Sequence, residues 1–366
     1  MRQVELVVHG LLTPENGIGR YAAEIYRRLQ AQIDIRLSEP LYPPFAGRFP
    51  LLTHFPRGLK DYRAGSIVHF TQIMGCAQML WHPLRPAIAT VHDLGALVCR
   101  EDELLFDRLG RWALDLSLSG LKRMDRLVAD SHFTARGLID VLGVPHSRVR
   151  VVHLGVEGDQ FHSLPGARGL IAQKYDVPPA KDTYNLLYVG NEQPRKNLGV
   201  LLEALARLKA RGIPFRLIKV GGAGGDRWRA RFLAHASRMG IEDQILLVGR
   251  VPEADLPAFY SAADLYVTSS LLEGFGLPVL EAMACAVPVV CSRAGSLPEI
   301  AEDVALLVDP RDPHALAAAI DRVLDDDVLR REMGARDVNR ARQFPWEKSA
   351  ENLLQIYREF GEDLDG

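Results

Sequence analysis

The chain has 366 residues, of which 48% are hydrophobic and 25% charged, and its formal net charge is −2. That length holds two domains of ordinary size, and the composition is that of a soluble globular protein. A near-neutral balance speaks against a nucleic-acid binder, and no apolar run reaches the roughly 18 residues that a spanning helix needs.

In chain order, Met1-Arg2 runs straight into the apolar stretch 4–8, which is too short for the apolar core of a signal peptide. A cytoplasmic protein is expected, with peripheral contact on the cytoplasmic face of a membrane left open. Residues 66–70, 87–91, 126–129 and 149–153 follow as strands, and 20–30 and 106–122 carry apolar residues at helical spacing. The second half repeats the scheme. Strands are predicted at 185–189, 216–220, 245–248, 265–268, 288–291 and 305–308. Helices are predicted at 198–210, 228–239, 256–261, 277–284 and 313–325. Such alternation implies parallel sheets with helices on both faces.

The segment 163–183 has no clear period and contains Pro165, Gly166, Gly169, Pro178 and Pro179, which suit a connection. The reading is therefore two α/β, doubly wound parallel-sheet domains, 1–165 and 184–345. A closing segment 346–366 follows Pro345, with an amphipathic helix over Trp346–Phe360. Ligands of such sheets bind outside the carboxyl ends of the strands, which puts the expected site in a cleft between the two domains.

The residues just after the strands are accordingly the candidates. Gly17 and Gly19 open the first helix, where backbone N–H groups can approach an anion, although a structural turn explains the pattern equally well. His92 ends the strand 87–91; it either faces a substrate hydroxyl or is fixed by Asp93 for structure alone. Gly190 begins a turn that ends in Arg195-Lys196-Asn197, and a planar guanidinium beside a point charge suits a diphosphate. Gly221 and Gly222 lie in a glycine-rich turn after 216–220, and Arg250 and Val251 follow 245–248 as one wall of a base pocket. Glu273 lies in a loop with Gly274, Phe275 and Gly276; Leu277 starts a helix, and Glu281 lies one turn into it. Carboxylates are natural acceptors for paired sugar hydroxyls.

Other chemistry-bearing residues read as structural. Cys76, Cys99, Cys285 and Cys291 form no Cys-x-x-Cys pair and are expected to be buried reduced thiols. His54, His69, His82, His132, His146, His153, His162, His235 and His314 lack metal-ligand spacing, and the acidic run 325–327 reads as a solvated helix end. Arg108, Arg111, Lys122, Arg123 and Arg126, with Leu109 and Trp112, suit either an anionic membrane or an ordinary solvated helix.

Taken in order, Gly17-Ile-Gly19, Thr90-Val-His92-Asp93, Ala129-Asp-Ser131, the run 190–197, Gly221-Gly222 and the pair Glu273 and Glu281 resemble glycosyltransferase family 4, the retaining GT-B enzymes. The resemblance covers nearly the whole chain. It implies that Arg195 and Lys196 hold the diphosphate of a nucleotide-sugar donor and that Glu281 binds its ribose. Glu273 would contact the transferred sugar, with Phe275, Gly276 and Leu277 supplying backbone contacts, and His92 would lie near the reacting carbon. Gly17 and Gly19 would approach the phosphates from the first, acceptor-binding domain, and the last helix would cross back onto that domain. No metal is expected.

The runs 190–197 and 295–299 resemble those of bacterial polysaccharide mannosyltransferases, which favours GDP-mannose as donor over a UDP-sugar and a saccharide or lipid-linked saccharide as acceptor. Leu154 replaces the Asn of many relatives before Gly155-Val156, which implies a small change in the hinge there. A nicotinamide dehydrogenase is disfavoured, since no acidic residue ends the second strand at the distance its cofactor requires. A non-catalytic nucleotide-sugar binder is the remaining alternative.

Overall fold

The structure is a computed structural model that describes residues 2–8, 17–41, 58–60, 62–95, 108–179 and 182–362. Cys99, His54 and the loop 9–16 lie outside the described residues. The chain forms two compact units, Met1–Gly155 with Trp346–Gly366 and Val156–Pro345.

In the first unit the elements are β1 (Val4–Val7), α1 (Gly17–Leu29), β2 (Ile35–Ser38), β3 (Pro40–Leu41), β4 (Gly58–Leu59), β5 (Ile67–Phe70), β6 (Ala87–Val91), α2 (Arg108–Leu121), β7 (Arg126–Ala129), α3 (His132–Arg136) and β8 (Val149–Val151). Six strands form one parallel sheet in the order β2-β1-β5-β6-β7-β8, and β3 and β4 form a small antiparallel pair. Every residue of β1, β5 and β6 is buried, as expected of parallel strands covered on both faces. The edge strand β2 escapes sequence reading because two of its four residues, Arg36 and Leu37, are exposed.

The second unit contains α4 (Ala167–Tyr175), β9 (Tyr184–Val189), α5 (Leu198–Ala210), β10 (Phe215–Val220), α6 (Asp226–Arg238), β11 (Ile245–Gly249), α7 (Leu256–Ala262), β12 (Leu265–Thr268), α8 (Leu277–Ala284), β13 (Val289–Ser292), α9 (Leu297–Ala301), β14 (Leu306–Val308), α10 (Pro313–Asp325) and α11 (Asp327–Ala341). Its parallel sheet has the order β11-β10-β9-β12-β13-β14. Leu198, Leu201, Leu202, Leu205 and Leu208 of α5 are buried at spacings of three and four, which lays one stripe of the helix on the sheet. Asp312 and Asp326 accept backbone N–H bonds as the N-caps of α10 and α11, so the exposed acidic run 325–327 is the expected solvated helix end of α10 and also starts α11.

The segment expected as a connection between domains lies inside the second unit and carries α4. Only Ala167 and Ile171 of that helix are buried, which is too little apolar periodicity to read from sequence. Polar contacts hold it instead: Lys174 Nζ and Tyr175 Oη both donate to Asp255. The chain passes between units beside itself, for Val156 N donates to Phe344 O at 2.9 Å.

The last helix, α12 (Trp346–Glu362), belongs to the first unit and packs on α1. Leu353, Leu354, Ile356 and Tyr357 are buried, and Glu359 pairs with Arg126 and Arg150. Among the cations suggested for a membrane face, Arg126 is thus paired internally and Arg123 donates to the carbonyls of Met79 and Leu80. Trp112 is exposed. Cys76, Cys285 and Cys291 are free and buried. No helix among the described residues is long and apolar enough to cross a membrane.

Candidate active site

In the second unit the strand order reverses between β9 and β12, and ligands of doubly wound sheets bind at such a switch point. The loops leaving these two neighbours, 190–197 and 269–276, are joined by hydrogen bonds. Leu271 N donates to Arg195 O at 2.8 Å, Asn197 Nδ2 to Ser269 O at 3.0 Å, and Ser269 Oγ to Asn197 O at 2.9 Å. Asn197 takes the left-handed conformation (φ 53°), which asparagine tolerates better than most side chains.

This joining brings Arg195, Lys196 and Glu273 into contact. Lys196 Nζ lies 2.6 Å from Glu273 Oε1 and Arg195 Nη1 lies 3.4 Å from Oε2. Ser270 Oγ donates to Oε1 at 2.6 Å. Burial by itself would raise the Glu273 carboxyl, but the charges of Lys196 and Arg195 outweigh it and hold the group below the usual carboxylate range. Glu273 is therefore an anion held between two cations.

The Glu273 loop is fixed from a third side. Gly295 has φ +61°, and a Cβ there would stand 2.5 Å from Glu273 O and 2.6 Å from Glu273 N. Next to it, Ser296 N donates to Glu273 O at 3.1 Å and the Ser296 hydroxyl to Phe275 O at 2.7 Å. Phe275 packs its ring 6.0 Å from that of Phe344, so its backbone is the part it can offer a ligand. Gly276 and Leu277 begin α8, and one turn on the buried Glu281 accepts from Tyr260 Oη at 2.6 Å.

The loop after β9 rests on a buried charge cluster. Lys219 of β10 lies 2.9 Å from Glu192 with neither side chain reaching solvent, and Arg229 of α6 lies 2.7 Å from the same carboxylate. Lys219 Nζ also donates to Gly221 O at 2.7 Å and Gly222 O at 3.0 Å, so one ammonium ties both glycine-bearing turns. Gly221 (φ +109°) approaches so closely that a Cβ would meet Gly190 O at 2.6 Å. Arg250 is exposed, with its Nε 3.1 Å from where a Cβ on Gly222 would stand, and Val251 follows it, half-buried.

The remaining candidates belong to the first unit. Gly17 and Gly19 form the first turn of α1. His92 leaves β6 with Nδ1 2.6 Å from Asp130 Oδ2 and Nε2 2.8 Å from Thr71 O. Both partners accept, so a ring that makes both bonds carries two N–H groups and is cationic. Burial lowers the His92 pKa, but Asp130 and the Thr71 carbonyl outweigh it and raise it above the ordinary histidine value. The partner is thus Asp130 across the sheet, while Asp93 accepts from Gly95 N.

Behind His92 runs a buried chain of hydrogen bonds. His69 Nδ1 lies 2.6 Å from Tyr357 Oη, His69 Nε2 lies 2.8 Å from Thr90 Oγ1, and Thr90 Oγ1 lies 2.8 Å from Tyr21 Oη. The Tyr21 ring stands edge-on to His92 at 5.0 Å. Burial holds His69 down at about 3, so it is neutral and structural.

Two family descriptions match the chain, "Glycosyl transferases group 1" over residues 172–340 and "Glycosyltransferase Family 4" over residues 32–160. It is 32% identical to O-antigen chain mannosyltransferase B of Escherichia coli, over 94% of this chain and 96% of that protein. The chain belongs to the GT-B glycosyltransferases. Solved structures agree with this glycosyltransferase in fold. Sucrose-phosphate synthase from Thermosynechococcus elongatus superposes with a TM-score of 0.80 at 22% identity, covering 98% of this chain and 99% of that one. Anabaena HepE, solved with UDP and glucose, gives 0.75 at 18% identity, covering 97% and 99%.

Sequence reading of this glycosyltransferase passes over Ser270, Ser296 and the cluster of Glu192, Lys219 and Arg229. A lysine within the apolar strand Phe215–Val220 was itself a signal, because a buried ammonium needs a buried partner. Asp130 directly follows β7, so the strand-end rule that selected His92 points to it equally.

Proposed function

We propose that this glycosyltransferase transfers a hexose with retention of configuration, mannose from GDP-mannose, to a saccharide or lipid-linked saccharide in the assembly of a cell-surface polysaccharide. The observation that carries the reading is the contact of Arg195 and Lys196 with Glu273 at the switch point of the second sheet. The second unit takes the donor and the first the acceptor.

Cleaving a sugar–diphosphate bond builds negative charge on the departing nucleotide. Arg195 and Lys196 oppose that charge, and the N-terminus of α8 adds a favourable dipole. Glu273 accepts from hydroxyls of the transferred sugar and Glu281 from those of the ribose, with Arg250 and Val251 beside the base. Gly190 and Gly222 let backbone approach the donor. The backbone at Phe275, Gly276 and Leu277 contacts the sugar end of the donor. Gly17 and Gly19 approach the phosphates, and the His92 cation, fixed by Asp130, stands by the sugar. The bond from the anomeric carbon to the diphosphate breaks as one to the acceptor oxygen forms on the same face. The acceptor proton passes to the leaving phosphate oxygen, so no protein nucleophile is required.

Mannose is favoured because a relative that matches along nearly the whole chain is named as a mannosyltransferase. A UDP-sugar is the second reading, on the fold likeness to a protein solved with UDP. Thermal-shift titration with GDP-mannose and UDP-glucose separates them, since the ligand bound by the native state raises its melting temperature. Transfer to a saccharide acceptor, with the product anomer determined by NMR, tests the rest. An inverted anomer sinks the retaining mechanism, and stabilisation by UDP-glucose alone sinks the choice of mannose.

A further inference from the structure

The first unit carries a second concentration of positive charge at the opposite ends of its strands. An open cavity of about 610 Å³ is lined by Arg2, Arg85, Asp125, Arg126, Arg148 and Phe360, among others. Arg2 precedes β1, Arg85 precedes β6, Asp125 precedes β7 and Arg148 precedes β8. In a parallel sheet all of these are amino ends, whereas Thr71, His92 and Asp130 lie past carboxyl ends. A strand of five residues such as β6 separates the two edges by about 16 Å at roughly 3.3 Å per residue.

Some of this charge has a structural task. Helices of such a unit end at this edge, and their last carbonyls attract cations. Arg148 Nη1 accordingly donates to Lys122 O at 3.0 Å and Met124 O at 3.2 Å, Arg85 pairs with Asp125, and Arg126 Nε donates to Glu359 at 2.9 Å. These bonds leave donors over. Arg148 Nε and Nη2, Arg126 Nη2 and the whole guanidinium of Arg2 make no hydrogen bond among the described residues. Arg2 and Arg148 have no carboxylate partner there either. Four arginines line the cavity against one aspartate, and Phe360 gives it an apolar wall with the Arg126 guanidinium 5.5 Å above its ring. Planar forks with unused N–H groups match phosphate oxygens.

We propose that this cavity is a second anion site, separate from the donor site, that takes a phosphoryl group through Arg2, Arg126 and Arg148. The phosphoryl group belongs either to a soluble phosphate or to an anionic lipid headgroup.

The test uses the full chain carrying Arg195→Ala and Lys196→Ala, so that the donor site does not report. Inorganic pyrophosphate is titrated calorimetrically at low ionic strength. Flotation is measured with vesicles of phosphatidylglycerol and, as control, of phosphatidylcholine. Arg2→Gln on this background disturbs no hydrogen bond of the described residues and should leave the melting temperature unchanged. It should weaken binding about tenfold, the loss expected for one charge-assisted hydrogen bond. Arg2→Gln with Arg148→Gln should abolish binding. Arginine-dependent pyrophosphate binding without flotation assigns a soluble ligand, and arginine-dependent flotation with phosphatidylglycerol assigns a headgroup. Failure of both probes to bind, or equal binding by parent and variants, overturns the site.

Discussion

Lys196 Nζ stands 2.6 Å from Glu273 Oε1, so the cation expected on the donor phosphate and the carboxylate expected on the donor sugar hold one another. Arg195 shares the second oxygen at 3.4 Å. On the proposed function, donor binding would exchange partners within a charge cluster already in place, which limits the reorganisation that transfer requires.

Glu273→Gln separates binding from transfer. The substitution frees Lys196 and Arg195 for the diphosphate, so calorimetry should find nucleoside diphosphate bound at least as tightly as by the parent. Transfer should fall by about 10²–10³, the scale for losing one preorganised electrostatic contact. Full activity in this variant would refute a role for Glu273 at the sugar.

Glu281→Gln should act on the nucleotide. Glu281 accepts from Tyr260, and on the proposed function it also accepts from the donor ribose. The donor KM is expected to rise about tenfold, equivalent to one hydrogen bond to a charged group. An unchanged KM with reduced kcat would move Glu281 away from the ribose.

The His92 and Asp130 pair sets a pH limit. The folded-state pKa of His92 is raised, so the stability drawn from its charge is present below about 6.5 and is lost as pH rises through the higher folded value, while burial raises the Asp130 carboxyl and weakens the pair from the acid side. Transfer should decline on that alkaline limb. Asp130→Asn should move the limb to lower pH, as read from kcat against pH; a limb that stays in place excludes His92 as its source.

Lys219 and Glu192 should govern stability. Glu192→Gln leaves a buried ammonium without its countercharge, which costs about 3–5 kcal/mol in comparable cases. Lys219→Met with Glu192→Leu removes both charges and should recover part of that loss in denaturant melts. A single variant as stable as the parent would contradict the buried pair.

Asp337 offers the opposite sign. Both its carboxylate oxygens are buried without a hydrogen-bond partner among the described residues, and burial pushes its pKa up to about 8. An unfolded aspartate titrates near ~3.9, so this group favours the folded state below that pH and costs stability progressively as pH rises toward 8. Asp337→Asn should raise the melting temperature at pH 8 and leave it nearly unchanged at pH 4. Equal gains at both pH values would show that the effect is not ionisation.

Local pattern reaches a long way in this chain. Alternating apolar strands and periodic helices define two doubly wound sheets, because parallel strands are buried on both faces and their helices on one. The rule that ligands gather past strand ends selects Arg195, Lys196, Glu273, Glu281 and His92 without knowledge of strand order. Elements with little periodicity are lost to this reading: β2 with its exposed centre and α4 with two buried residues, the latter taken for the connection between domains.

The pairings themselves were decided by the tertiary structure. Lys196 and Glu273 are 77 positions apart and meet because β9 and β12 are neighbours at the point where the strand order reverses. His92 reaches Asp130 for a like reason, β6 lying beside β7. Glu192, Lys219 and Arg229 form one charge cluster, with Glu192 and Lys219 buried and Arg229 reaching solvent, although they come from a loop, a strand and a helix. Residue type and strand position are local properties and can be read along the chain. Which charge neutralises which depends on strand order and burial, and those arise only when the sheet assembles.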